Sequence, residues 1–355
     1  MTKHYVILGG GLAGSFVAAR LCLAGQRVTL IDDRNPHSAS RAAAGLFNVI
    51  TGRFGAKSWL ADELLKEIKD FFAQHELAEL RDLIHYRPIY RPFKTEEEYN
   101  KWTGRSADPA FTHLARMEEN PVLPEVIHNP LGGIMIQGCG WASVGELVDG
   151  LLLHLELKFL LRRLTGRLSY NAIDLEKKQL QLRNEYLEFD ELISCEGHAL
   201  TENPWFDFVP LIPNKGEILE LRIPNLDIPF VLSKKIYLVP VREDRWICGS
   251  TYANQFENAS PTEEGRAEIE SHLRKAIKVP YEVTGHWTGI RPTTPNRRPI
   301  VGTHPEIGHL HIINGFGTKG MLLAPYTSRL LVEGLIHGKW NIPQEASLDR
   351  FLPQS

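Results

Sequence analysis

The feature that most constrains this chain lies in its first fourteen residues, where the apolar run "HYVIL" meets the spacing Gly9-x-Gly11-x-x-Gly14. The run suits a strand buried on both faces. The following "SFVAARLCLAG" has helical spacing and stops at Gly25, and "RVTLID" reads as a second strand. A bare glycine pattern of this kind can mark only a turn, so its context decides. Between strand and helix, Gly9 permits the turn, Gly11 lets a pyrophosphate approach the backbone, and Gly14 lets helix and strand pack closely. The helix N-terminus offers unpaired N–H groups and partial positive charge to phosphates, and Leu12 and Ala13 within the glycine pattern join the candidate cofactor contacts. Asp32 ends the second strand, 32 − 14 = 18 residues past the last glycine. A carboxylate there grips adenosine ribose hydroxyls and disfavours a 2′-phosphate. With Asp33 and Arg34 beside it, this start predicts a site for an ADP-containing dinucleotide without a 2′-phosphate.

A second glycine-rich turn, "INGFGTKGMLLAP", closes a strand and opens a helix about forty residues before the end. A flavin is long and rigid at its reactive end, so its pyrimidine edge needs a partner far from the adenine. A helix N-terminus aimed at that edge stabilises negative charge on the reduced ring, and Lys319 adds a full positive charge. One turn is therefore expected to hold the phosphates and the other the redox ring. Between them the texture changes. "WLADELLKEIKDFFAQHELAELRDLI" predicts one long amphipathic helix, and "SVGELVDGLLLHLELKFLLRRL" a second helix leading to the buried strand "YLEFDELISCEGHA". From His85, short strands such as "GGIMIQG", "GEILELRI", "KKIYLVPV" and "RWICGSTY" suit an antiparallel sheet. The expected architecture is α/β. A Rossmann-like nucleotide domain is built from residues 1–84, 142–212 and 288–355, with a mostly antiparallel α+β substrate domain, 85–141 and 213–287, inserted.

Four ordered motifs, "YVILGGGLAG", "SASRAAAGL", "TGIRPTTPNRRPIVG" and "NGFGTKGMLLAP", together resemble the glycine oxidase / D-amino acid oxidase family of FAD-dependent oxidoreductases. The likeness runs to about residue 338, with a looser middle. "GCGWASVGEL" and "GTKGMLLAP" carry a more distant likeness to the flavin oxidase domain of the enzyme that modifies wobble uridine in tRNA. The resemblance implies a glutathione-reductase-type FAD fold and oxidation of a C–N bond beside a carboxylate. By motif it assigns Gly9, Gly11, Gly14 and Asp32 to the adenosine diphosphate. Ser40, Arg41, Ala44, Gly45 and Leu46 match the segment past the pyrophosphate and flavin, and Gly197 a glycine near the adenosine half. Gly315, Gly317, Thr318, Lys319, Gly320 and Met321 match the loop at the pyrimidine end. Relatives with histidine-linked flavin carry the histidine where this chain has Ala42, and no cysteine follows Cys248. Noncovalent FAD is the expectation. Phe316 stands where many relatives have histidine.

Amine oxidation by a flavin depends on orientation more than on acid–base groups, so the carboxylate must be fixed. Arginine's planar fork does this bidentately. Arg291 in "GIRP" matches the family's carboxylate-binding arginine, and Tyr237 in "KIYLVP" a tyrosine that assists it. Lys319 completes the candidate catalytic set; Trp287 and Tyr252 read as packing residues. His309 and His311 alternate without Glu or Cys companions, so no metal is expected.

Composition narrows the field. With 40 basic and 43 acidic residues the formal charge is −3, which gives no reason to expect nucleic acid. Four scattered cysteines argue against a disulfide framework, and the longest greasy run is interrupted by Asp149, His154, Glu156 and Lys158. An N-terminus that enters a strand at once leaves no room for a signal peptide, so a cytoplasmic protein without a membrane span is expected. The leading expectation is an oxidase or dehydrogenase acting on glycine, a D-amino acid or an N-substituted amino acid. Its alternatives are a flavin oxidase of a modified tRNA nucleoside, a dehydrogenase passing electrons to a quinone, and a non-enzymatic FAD scaffold. Homo-oligomerisation stays open.

Overall fold

A computed structural model describes residues 2–52 and 55–352. Met1 and residues 353–355, the outer ends of the expected nucleotide domain, lie outside the described residues. Strand β1 (His4–Leu8) is buried throughout, and helix α1 (Leu12–Leu23) follows it directly. After β2 (Arg27–Asp32) come helix α2 (Ala61–Ala73), helix α3 (Val144–Lys158), β3 (Leu161–Thr165) and β4 (Glu191–Ser194). The chain then crosses to β5 (Ile212–Arg222), β6 (Ile236–Arg242), β7 (Arg245–Gly249), helix α4 (Glu263–Arg274) and β8 (Glu282–Thr293). It returns through β9 (Ile300–Thr303), β10 (Leu310–Asn314) and helix α5 (Gly320–His337).

The first sheet has the order β3-β2-β1-β4-β10-β9, parallel except for β9. Its middle strands are apolar runs covered on both faces, as a parallel sheet requires. The fold class is the expected one, a mixed α/β fold of the FAD-binding type. The second sheet runs β8-β5-β7-β6 and continues through Val231–Lys234, Ile89–Pro92, Gly133–Ile136 and Ala115–Glu118. Only the pairing of Val231–Lys234 with Ile89–Pro92 is parallel in it. β8 spans the expected boundary at residue 288, so one continuous strand crosses between the two expected domains.

Two expected helices are shorter. α2 stops at Ala73 and gives way to a 3-10 turn, His75–Leu83. Arg81 folds back to donate from Nε to the Phe72 carbonyl (2.6 Å) and from Nη2 to that of Ala73 (2.9 Å), satisfying helix-end acceptors that a continuous helix would use itself. The "LLRRL" end of the second expected helix is β3, which extends the sheet beyond β2 with Leu161 opposite Val28. A short apolar run does not distinguish helix from strand by periodicity, and the open edge of β2 settles it. Likewise "YLEFDELISCEG" divides into the hairpin strand Glu185–Glu188 and β4. Among the described residues, no helix is long and apolar enough to cross a membrane.

Candidate functional site

The C-terminal ends of β1, β2 and β4 open onto a cavity of about 1050 Å³ that reaches to the second sheet. At the first turn, Gly9 takes φ +99°, and a β-carbon on Gly14 would stand 1.9 Å from the Gly9 carbonyl oxygen. α1 thereby packs against β1 with its first turn aimed at the cavity, and the helix has no side-chain cap at Gly11. Asp32 accepts a hydrogen bond from the Gly10 amide (3.0 Å), and Ser40 from that of Leu12 (3.0 Å). Arg41 is held by Asp149 through two bonds of 2.6 and 2.7 Å. Gly197 accepts from the Asn314 amide at 2.9 Å, which ties the end of β4 to the end of β10.

The second turn comes to the same cavity. A β-carbon on Gly320 would lie 2.8 Å from Leu12 Cδ1, so the helix starts of α1 and α5 are neighbours. The Gly317 amide donates to the Pro292 carbonyl at 2.8 Å, which fixes this turn to the end of β8, one residue from Arg291. Gly9, Gly11, Leu12, Ala13, Asp32, Asp33, Arg34, Ser40, Arg41, Ala44, Gly45, Leu46 and Gly197 line the cavity, as do Gly315, Gly317, Thr318, Lys319, Gly320, Met321, Tyr237 and Arg291. Gly14 alone of the expected residues stands behind the wall, where its role is packing. Two neighbouring helix starts opening onto one cavity, with a carboxylate beside the first and a lysine beside the second, fit a dinucleotide carrying a redox ring.

Arg291 is nearly buried, at 9% exposure. Its Nη1 donates to Asn214 Oδ1 (2.7 Å) and to the Thr251 carbonyl (3.1 Å), and its Nη2 to Ser250 Oγ (2.6 Å). The guanidinium lies over the bare backbone of Gly216 and under the ring of Tyr252, whose centroid is 4.6 Å from Cζ. Of the five N–H donors of arginine, three are thus used; Nε–H and one hydrogen of Nη2 have no partner among the described residues. These remaining donors are available to a carboxylate. Tyr237 reaches Ser250 beside this group. Burial pushes its phenol well above the ordinary range, against the opposing pull of Arg291, so it stays protonated at neutral pH.

Lys319 donates to Ser58 Oγ at 2.9 Å. Burial is the largest influence on its ammonium, and Arg298 and Arg297 add repulsion, bringing it down to about 8. Phe316 is buried, at 8%. Trp287 donates to the Ala42 carbonyl at 3.3 Å and does not border the cavity. Tyr252 differs from expectation: it is 66% exposed and borders the cavity, because β7 has ended before it and the chain turns outward over Arg291. His311 bonds Thr303 (2.9 Å) and Glu191 (3.0 Å) inside the first sheet, and His309 the Leu175 carbonyl (2.8 Å). Among the described residues no group of three or more His, Cys, Asp or Glu could hold a metal ion.

Sequence reasoning missed Asn214, Gly216, Ser250 and Thr251 around Arg291, Ser58 at Lys319, and Glu196. Glu196 borders the cavity next to Gly197 and accepts from Tyr170 (2.8 Å), Ser194 (2.6 Å) and Asn203 (2.8 Å). None belongs to a local motif; "CEG" was a visible signal, since an acid directly before the glycine at a strand end must face the ligand cleft.

A family model described as "DAO: FAD dependent oxidoreductase" matches residues 4–334. The chain is 26% identical to the bifunctional protein ThiO/ThiG of Nostoc sp. over 96% of its own length and 53% of that protein, so it spans about half of that relative. It is 22% identical to the glycine oxidase of Pseudomonas aeruginosa, over 94% of each chain. The crystal structure of glycine oxidase from Geobacillus kaustophilus superposes with a TM-score of 0.79 at 23% identity, over 95% of this chain and 96% of that one. With the two helix starts converging on one cavity and the family match running nearly end to end, this chain belongs to the DAO family of FAD-dependent oxidoreductases.

Proposed function

We propose that this protein oxidises the C–N bond of a small amino acid, glycine, a D-amino acid or an N-substituted amino acid, with noncovalently held FAD. The observation that carries this reading is the guanidinium of Arg291, which keeps its remaining donors for a carboxylate while three protein acceptors hold it still. Gly11, Asp32 and Gly197 would hold the adenosine diphosphate, and Gly317, Thr318 and Gly320 the pyrimidine end. Among the described residues, the one cysteine bordering the cavity is Cys195, beside Glu196, and Ala42 carries no nucleophile. This supports a noncovalent cofactor. When bound, FAD supplies the hydride acceptor, and its reduced ring carries one negative charge.

The residues supply orientation. Arg291 takes the carboxylate, and Tyr237 donates to it from the side. The substrate's Cα–H is then fixed while the amine, as free base, keeps its lone pair in the same pocket. The hydride takes both electrons of the C–H bond, the nitrogen lone pair forms C=N, and water hydrolyses the imine to an oxo acid and an amine. The domain division is proposed on the same grounds. The segments carrying both glycine turns form the cofactor domain, and the second sheet presents Arg291 and Tyr237 to it.

Anaerobic mixing of the FAD-loaded protein with an amino-acid panel tests the reading. At least one small amino acid should bleach the flavin, and Arg291→Ala should need far higher concentrations while binding flavin as well as the parent protein does. A flavin that no member of the panel reduces would sink it.

A further inference from the structure

Charge along the cavity is segregated. The carboxylates that border it, Asp32, Asp33 and Glu196, all stand around the first glycine turn. The end formed by β8 and the second turn has four cations, Arg291, Arg297, Arg298 and Lys319, and no acid among the described residues. Pairing differs as well. At the first end Arg41 is held by Asp149 and Arg167 by Glu202, with Arg34 the one arginine there that has no ion pair among the described residues. At the second, none of the four cations meets a carboxylate among the described residues; Lys319 bonds Ser58, and Arg298 lies over the Trp59 ring at 5.5 Å.

The loop after Arg291 explains how they gather. Thr294 bonds the Arg298 carbonyl at 2.7 Å, closing a tight turn that carries Arg297 and Arg298 back towards the second glycine turn. A β-carbon on Gly315 would stand 2.8 Å from Thr294 Cγ2 and 3.3 Å from the Arg298 carbonyl oxygen. This contact packs the loop that carries Arg297 and Arg298 against the second glycine turn, and their repulsion reaches Lys319. Arg297 is exposed at the rim and Arg298 and Lys319 are half-buried, so water meets part of their charge, and an anion that excludes this water would be favoured by all three. On the functional reading above, the reduced ring supplies one negative charge and an α-carboxylate another. Four cations leave two unmet.

We propose that the natural substrate carries a second anionic group, a carboxylate or a phosphate, which Lys319 receives together with Arg297 and Arg298 while Arg291 holds the α-carboxylate. This rests on the functional reading above and narrows it to dianionic amino acids or N-(acidoalkyl) amino acids. Arg297 and Arg298 are specificity determinants in this assignment, acting at the far group and not at the reacting carbon.

The test uses the FAD-loaded protein and non-oxidisable ligands, with the shift of the visible flavin spectrum as readout. Succinate and 3-phosphonopropionate should each bind about tenfold or more tighter than acetate, the gain expected of one partly desolvated ion pair. Whichever of the two binds tighter identifies the second group as carboxylate or phosphate. The preference should collapse in Arg297→Ala and in the milder Arg298→Gln, with acetate affinity unchanged. Dianions that bind no tighter than acetate, or a preference untouched by both substitutions, overturn the proposal. If the amino-acid panel still bleaches the flavin in that case, the functional reading stands without it. A flavin that no carboxylate-bearing amine reduces overturns both.

Discussion

The guanidinium of Arg291 rests on the backbone of Gly216: a β-carbon at that glycine would lie 2.0 Å from Nη2 and 2.3 Å from Cζ. The two residues belong to adjacent strands, with Asn214 directly opposite Arg291 in the β5–β8 register. Side chains at 214 and 216 point to the same face, so one supplies an acceptor and the other the space that the arginine fills.

Gly216→Ala should therefore displace Arg291 without touching the glycine turns. Overpacking of this kind costs about 1–3 kcal/mol, which at the ligand-binding step is about a 5- to 150-fold rise in KM. Flavin content, read as the ratio of flavin to protein absorbance, should stay at the parent value. Loss of flavin together with loss of substrate affinity would mean that Gly216 matters to the fold and not to the arginine.

Gly14 and Gly11 should separate in the opposite sense. A methyl group at Gly14 meets the Gly9 carbonyl oxygen at 1.9 Å, backbone that cannot move aside; one at Gly11 meets Ser40 Oγ at 2.9 Å, a side chain that can rotate. Gly14→Ala should lose about 3 kcal/mol or more and purify without flavin. Gly11→Ala should fold and bind FAD more weakly. Thermal melts of the two apoproteins check the first claim, and equilibrium dialysis against FAD the second.

Tyr237→Phe removes one hydroxyl beside Arg291. A neutral hydrogen bond to a ligand contributes about 1 kcal/mol, so KM should rise roughly fivefold with little change in the rate of flavin reduction at saturation. Because burial holds the phenol protonated, the alkaline limb of the pH profile should be the same in both proteins. A limb that vanishes with the hydroxyl would assign the titration to Tyr237.

Lys319 is the group expected to titrate. Its ammonium is down to about 8 from 10.5 in the free protein, mainly through burial and then through Arg298 and Arg297. An anion bound there favours the charged form and raises that value. Affinity for anionic ligands should thus be full below pH 8 and fall as pH rises past it, and Lys319→Gln should flatten the curve. The linkage to stability has the opposite sign. Between about 8 and 10.5 the unfolded chain holds more protons than the folded one, so the ligand-free protein should gain stability as pH rises through that window. Titrations of succinate affinity and of the melting temperature against pH measure the two effects.

The chain by itself determined both glycine turns, the acid at Asp32, and the strands and helices that flank them. These are local requirements: a tight turn, a close helix–strand approach and a helix start each need particular residues within a few positions. The resemblance also pointed to Arg291 and Lys319 by motif. What surrounds those two side chains was decided only by the tertiary structure. Asn214 lies 77 residues from Arg291, Ser250 lies 41 from it, and Ser58 lies 261 from Lys319. Strand register brings the first two together, and a slip of one residue would turn Asn214 and Gly216 to the opposite face. The same holds for β3: its apolar run could serve helix or strand, and a neighbour distant in the chain, the free edge of β2, chose between them.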